Sequence, residues 1–257
     1  MLIEKEFYIE KLKRKRTVMI YLPDDYQNSQ KSYPVLYIND GQNAFFDESS
    51  YIGQSWGFLE HVKRLKLEII MVAIPCNFEE FKREDEYGPF KLSKRVVYQE
   101  MGVRRSMGGE GKQFLKFIKD DVKRYIDNTY RTIKDDCAMV GSSMGALFSL
   151  YALLEYPSIF SKVALLSTPF WLYQKEYQKM INKGDFSKTK VVYQDLGGQE
   201  GQDNDKYYQS NLVMKSLLEN KINNYHFRYF EDDDHSEYSW YQRVPIFLEL
   251  FYKDEKE

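Results

Sequence analysis

The hydrophobic positions fall into two patterns that alternate along the chain. Short apolar, largely β-branched runs occur at 34–40 (PVLYIND), 68–75 (EIIMVAIP), 137–141 (CAMVG), 162–168 (KVALLST), 190–196 (KVVYQDL) and 225–231 (YHFRYFE). Each has the length of a strand, and near-continuous apolarity marks strands covered on both faces. Two further runs, 3–9 and 15–22, flank the basic stretch KLKRKR and predict two strands joined by a solvated turn. Between the runs the period changes. Residues 110–126 carry Phe114, Phe117, Ile118 and Val122 on one helical stripe, and 56–66, 145–155, 205–221 and 239–252 also read as helices. Strands that alternate with helices predict a mostly parallel central sheet of about eight strands with helices on both faces, the first two strands pairing antiparallel at one edge.

Two connections exceed what such a sheet needs, 76–109 and 168–188. Long connections in a compact domain are commonly functional loops, and both leave the carboxyl ends of strands, where open α/β sheets bind ligands. A single α/β domain over 1–257, with these two insertions over the site, is the simplest organisation. No internal repeat or low-complexity linker divides the chain.

Composition narrows the function classes. With 37 basic and 39 acidic residues among 257, there is no global pull toward nucleic acid or an anionic membrane. The first sixteen residues show no apolar signal core, no apolar run approaches a membrane span, and two cysteines, Cys76 and Cys137, cannot build a disulfide framework. A cytoplasmic protein is expected.

The pattern G-x-S-x-G occurs twice, as GQSWG around Ser55 and GSSMG around Ser143. A nucleophile elbow is a sharp turn from strand to helix that lifts a serine hydroxyl above the sheet. Ser143 has that context: CAMV precedes it, and MGALFSLYALLEYP follows as a strong helix stopped at Pro157. Ser55 follows the polar stretch FFDESSYI and reads instead as a cap of the helix at 56–66.

A serine nucleophile needs a base, and the base needs a carboxylate to hold its tautomer. In this architecture the order along the chain is serine, acid, histidine. Of the three histidines, His235 lies behind the last strand, where the order requires the base. His61 precedes the serine, and His226 lies inside a strand as a packed or edge residue. The acid should follow the strand KVVYQDL. Glu200 is the first choice and Asp203 the alternative, because Asp195 is still within the strand; Asp232 to Asp234 read as a solvated loop. The oxyanion hole needs two backbone N–H groups, assigned to Met144 after the nucleophile and to Gln42 in the turn NDGQN. No second histidine stands near His235 at ligand spacing, so no metal and no cofactor are expected.

These residues, with the stretches LYINDGQNAFFD (36–47), REDEYGPF (83–90), GGEGKQFLKFIKDDVKRYIDNTYRT (108–132), STPFWL (167–172), DLGGQEG (195–201) and DHSEYSW (234–240), resemble the putative-esterase branch of the α/β-hydrolases over nearly the whole chain. That branch includes esterase D, feruloyl esterases, enterochelin-type trilactone esterases and antigen-85 mycolyltransferases. The resemblance implies an α/β-hydrolase fold and a serine carboxylesterase acting through Ser143, His235 and Glu200 on a small-molecule ester. The family's G-x-x-acid pattern matches Gly197 to Glu200, and its tryptophan five places after the histidine matches Trp240. Asn39 stands where relatives often carry His, and Ala146 replaces a second Gly. An acyltransferase would use the same residues, and a non-catalytic binding protein of this fold is a third reading. Tyr87, Phe90, Phe170 and Trp171, with Tyr173 beside them, are candidates to line a pocket for an aromatic or sugar ester. Arg83, Arg104 and Arg105 are candidates to meet an anionic one.

Overall fold

In the computed structural model, which describes residues 1–201 and 204–253, the eight apolar runs become one sheet. Its strands are β1 (Leu2–Ile9), β2 (Arg14–Tyr21), β3 (Tyr33–Asn39), β4 (Ile70–Ile74), β5 (Thr132–Ser142), β6 (Phe160–Leu166), β7 (Val191–Gln199) and β8 (Tyr225–Asp234). They lie in the order β1-β2-β4-β3-β5-β6-β7-β8. β2 is antiparallel to both β1 and β4, and every other adjacent pair is parallel.

Alternation along each central strand divides the core in two. Val35 and Tyr37 of β3, Val72 and Ile74 of β4 and Met139 of β5 enter one buried cluster. Their neighbours Leu36, Ile38, Met71, Ala73, Ala138 and Val140 enter the other. Both faces are therefore covered, which is why these runs are apolar at every position.

The helices among the described residues are α1 (Phe58–Leu65), α2 (Lys82–Tyr87), α3 (Lys94–Met101), α4 (Gly111–Phe117), α5 (Arg124–Thr129), α6 (Met144–Glu155), α7 (Gln174–Lys183), α8 (Asn204–Glu219) and α9 (Glu237–Tyr252). α1 and α9 contribute Phe58, Val62, Val244, Phe247 and Phe251 to the second cluster. The predicted helix over 110–126 is interrupted: a π-helical stretch, Ile118–Lys123, joins α4 to α5, yet Phe114, Phe117, Ile118 and Val122 remain buried on one stripe. α6 is buried at every position from Met144 to Leu153, so it has no polar face and lies inside the molecule rather than on it.

The insertion at 76–109 is not a bare loop. It forms α2 and α3 and closes on itself through the bridge between Leu92 and Met107. Asp85 receives Arg105 and the Gly108 N–H, and Glu86 receives Arg16, which fastens the insertion to itself and to β2. The second insertion, 168–188, contains α7.

Candidate active site

β5 ends at Ser142, and α6 begins at Met144. Ser143 between them has φ 52° and ψ −124°, a conformation costly for any residue with a Cβ. Its N–H donates to the Leu166 carbonyl of β6 at 2.8 Å, which holds the turn against the sheet. The flanking glycines follow from contact distances. A Cβ on Gly141 would lie 2.4 Å from the Gly145 carbonyl carbon, and one on Gly145 would lie 3.0 Å from Asp40 Oδ2. Ser55 has no such turn, nor does it cap α1. The capping position is Gly57 at φ 64°, and Ser55 donates its N–H to Asp47 Oδ1 at 2.8 Å instead. Gly57 takes that position because Tyr241 packs where its Cβ would stand, at 2.3 Å.

His235 follows β8, and its Nδ1 lies 2.5 Å from Glu200 Oε2. Glu200 is 4% exposed, whereas the imidazole of His235 is 27% exposed. The histidine ring is held edge-on by Trp240, with centroids 5.0 Å apart, and packs against Tyr207 at 5.2 Å. Asp203, the alternative acid, lies outside the described residues.

The other oxygen of Glu200 is also occupied. Oε1 accepts from Ser167 Oγ at 2.8 Å and from the Gly197 N–H at 2.7 Å. Ser167 Oγ in turn accepts from Trp240 Nε1 at 3.1 Å and Arg243 Nη1 at 3.2 Å. Arg243, fully buried, bonds Asp195 at 3.1 Å and Asp233 at 2.8 Å. Burial pushes the Asp195 carboxyl up to about 6 against the pull of Arg243. The acidic run is thus no simple solvated loop: Asp233 holds Arg243, and Asp234 accepts from Ser239 Oγ at 2.8 Å at the start of α9. Sequence reading missed Ser167 and Arg243. Arg243 had left a signal, a lone cation on the stripe of Trp240, Val244, Phe247 and Phe251.

The turn after β3 carries Gln42 in a short 3-10 segment, Gly41–Asn43. The N–H groups at the start of a helix have no intrahelical partner, and this is the position of both Gln42 and Met144. The turn is clamped from several sides. The Cys76 N–H donates to Gln42 Oε1 at 3.2 Å, and the Asp40 N–H donates to Tyr87 Oη at 2.7 Å. Asp40 itself has φ 52° and receives a two-pronged bond from Arg83, Nε to Oδ1 at 2.7 Å and Nη2 to Oδ2 at 2.8 Å. A Cβ on Gly41 would lie 2.3 Å from the Ile74 nitrogen, so the glycine is required for close approach to β4.

Ser143 and His235 line two adjoining cavities. The wider, about 460 Å³, also contains Asp40, Gln42, Glu237 and Trp240. The narrower, about 260 Å³, contains Met144, Trp171, Leu172 and Tyr207. Of the predicted aromatic liners, Trp171 alone lines either of these two cavities, edge-on against Tyr207 at 4.2 Å. Tyr87 and Phe170 are fully buried, and Phe90 packs on Tyr151, Tyr173 and Tyr177. These rings turn inward because the insertions must bury apolar surface to fold onto α6. The arginines are also spoken for: Arg83 by Asp40, Arg105 by Asp85, and Arg104 lies 5.3 Å from the Tyr98 ring. Among the described residues no group of His, Cys, Asp or Glu is placed to hold a metal ion, and no helix is long and apolar enough to cross a membrane.

Comparison with known proteins gives the family and the fold. A family model described as Putative esterase matches residues 9–248. A Bacillus subtilis (strain 168) protein, the uncharacterized YbbA, is 26% identical over 193 residues, covering 73% of this chain and 70% of its own. An IroE-like serine hydrolase from Shewanella oneidensis superposes with a TM-score of 0.77 at 21% identity, covering 99% of this chain and 82% of that one. A ferulic acid esterase superposes with a TM-score of 0.73 at 17% identity over 98% of both chains. At these identities the two solved structures establish the α/β-hydrolase fold.

Proposed function

The chain belongs to the Putative esterase family and is a carboxylesterase-type hydrolase, and from that premise we propose that it cleaves small-molecule esters through a serine, histidine and glutamate triad. In the reading we favour, Ser143 Oγ attacks the ester carbonyl while His235 Nε2 takes the hydroxyl proton. Glu200 holds the other ring nitrogen and stabilises the imidazolium. The N–H groups of Gln42 and Met144 receive the tetrahedral oxyanion. Its collapse expels the alcohol, which takes the proton from His235, and leaves an acyl group on Ser143. Water, deprotonated by His235, then attacks the acyl-enzyme and releases the acid. The two cavities that meet at Ser143 accommodate the two halves of the ester.

The observation that carries this reading is the 2.5 Å contact between His235 Nδ1 and Glu200 Oε2 beside a serine held at φ 52°. It is tested by the intact mass of the protein after exposure to a fluorophosphonate, beside Ser143→Ala, with hydrolysis of p-nitrophenyl esters measured in parallel. One adduct and turnover on the native chain, with neither on the variant, is the expected result. An adduct on both would mean another nucleophile.

A further inference from the structure

The wider cavity differs from the narrower one in charge. Five carboxylates line it, those of Asp40, Glu79, Glu80, Glu84 and Glu237, against the single guanidinium of Arg83. Asp40 and Arg83 neutralise each other in their two-pronged bond. Among the described residues no lysine or arginine pairs with any of the four glutamates. The chain as a whole is balanced, 37 basic residues against 39 acidic, so this excess is local to the mouth of the candidate site.

A second, independent feature has the same preference. Aromatic rings stand among these carboxylates: Trp240 beside His235, and Tyr51 and Phe78 at the rim, 78% and 61% exposed. Exposed rings bury apolar surface when a ligand enters, and their faces attract a cation. Carboxylates clustered with aromatic faces repel an anion and attract an alkylated cation.

We propose that the wider cavity takes a positively charged group, an ammonium or guanidinium carried on whichever half of the ester lies there. The inference rests on the proposed esterase site for the placement of that ester. It makes Glu84 and Glu237 specificity-determining residues, since both are half-buried and Glu84 lines both cavities. Burial, with Asp40 adding to it, holds the Glu237 carboxyl above its ordinary range, so an unfilled site keeps this carboxylate at a cost that a bound cation offsets.

The test is binding of three matched small molecules without an ester bond: choline, its neutral isostere 3,3-dimethylbutan-1-ol, and the anion 3,3-dimethylbutanoate. Each is titrated against the native chain and against Glu84→Gln/Glu237→Gln, at low salt and at about 0.3 M salt, where exposed charges are largely screened. Choline is expected to bind the native chain at least about tenfold more tightly than its neutral isostere, with the anion weakest. The double variant should bring choline and its isostere within about twofold, salt should weaken choline alone, and Glu237→Lys should reverse the order of choline and the anion. Equal binding of the three, tighter binding of the anion, a preference that survives the double variant, or no binding of choline would overturn the proposal. The probes cannot be hydrolysed, so the outcome is separable from esterase activity. A fluorophosphonate-labelled Ser143 without cation preference sinks only this inference, and cation preference with an unreactive Ser143 sinks only the esterase reading.

Discussion

Glu200 faces His235 with one oxygen and the interior with the other: Oε2 lies 2.5 Å from the ring nitrogen, and Oε1 accepts from Ser167 and Gly197. A carboxylate so fixed can hold only one imidazole orientation. Replacing it by Glu200→Gln keeps the shape but favours the wrong tautomer. Turnover of an activated ester is expected to fall by about 10³–10⁴-fold with KM little changed. Asp203→Asn should leave the rate within about twofold of native. A loss of less than tenfold for Glu200→Gln, or a large loss for Asp203→Asn, would transfer the role to Asp203.

Ser167 joins Glu200 to the buried interior. Its hydroxyl donates to Glu200 and accepts from Trp240 and Arg243. Ser167→Ala leaves the buried Trp240 Nε1 without an acceptor, while Arg243 Nη1 keeps Asp195, at a cost of about 1–3 kcal/mol. If Ser167 positions Glu200, kcat should also fall, by about tenfold (about 1.4 kcal/mol of transition-state stabilisation), while KM holds. A stability loss with native kcat would confine Ser167 to a structural role.

The strands and the sharp strand-to-helix turn at Ser143 were legible because each follows from local rules. Apolar runs at strand length declare themselves, and a serine between glycines at a strand-to-helix junction has one geometric meaning. The same rules failed where a side chain could turn either way. Tyr87, Phe90 and Phe170 lie on insertions near the site, but sequence does not say which face of an insertion meets α6; Tyr87 and Phe170 are fully buried, and Phe90 is half-buried against the core. Arg83 looked like a free anion receptor because Asp40, its partner, is 43 positions away. Ser55 looked like a cap because the φ of Gly57 is invisible in the residue names. Ser167, at φ 49°, left no local mark at all.

Arg243 and Asp195 form an ion pair with no solvent contact, their side chains 1% and 0% exposed. Arg243→Leu strands the Asp195 carboxylate and is expected to cost about 3–5 kcal/mol at pH 7. Asp195→Asn should cost less, because the Asp195 carboxyl is already pushed up to about 6 by burial despite Arg243. Unfolded, that group titrates near 3.9. From about pH 6 down to about pH 4 the folded chain therefore binds a proton that the unfolded chain does not. This group makes stability rise as pH falls through that window, and lowers it again as pH rises through 6. Glu86, also raised to about 6 by burial, acts in the same direction. Thermal melting across pH 4–7 should show the contribution of Asp195 lost in Asp195→Asn; an unchanged profile would mean that Asp195 does not titrate there.

The backbone at Ser143 stores strain, φ 52° with ψ −124° on a residue bearing a Cβ. Such a residue costs about 1–3 kcal/mol. Ser143→Ala and Ser143→Gly both remove the hydroxyl, but only glycine relaxes the turn. Ser143→Gly is expected to be the more stable of the two by about 1 kcal/mol, after the entropy that glycine adds to the unfolded chain. Both should be inactive. Chemical denaturation of the two inactive variants isolates the strain, and an alanine variant as stable as the glycine variant would show that the turn is unstrained.

Asp40 and Arg83 test whether the first insertion supports the turn bearing Gln42 or contacts the substrate. Arg83 lies on α2, reaches Asp40 with a planar fork, and also donates from Nη2 to the Ser142 carbonyl at 3.3 Å. One guanidinium therefore ties the turn bearing Gln42 to the end of the strand that leads into Ser143. A lysine ammonium cannot reproduce that fork, so Arg83→Lys and Arg83→Gln should lose similar activity, about 10–100-fold in kcat, on neutral and charged esters alike. An arginine that bound an anionic substrate would behave differently. Its loss would raise KM for anionic esters only, and lysine would restore much of it. Rates for a neutral and an anionic ester on both variants separate the two roles, and a defect confined to KM of the anionic ester would overturn the positioning role.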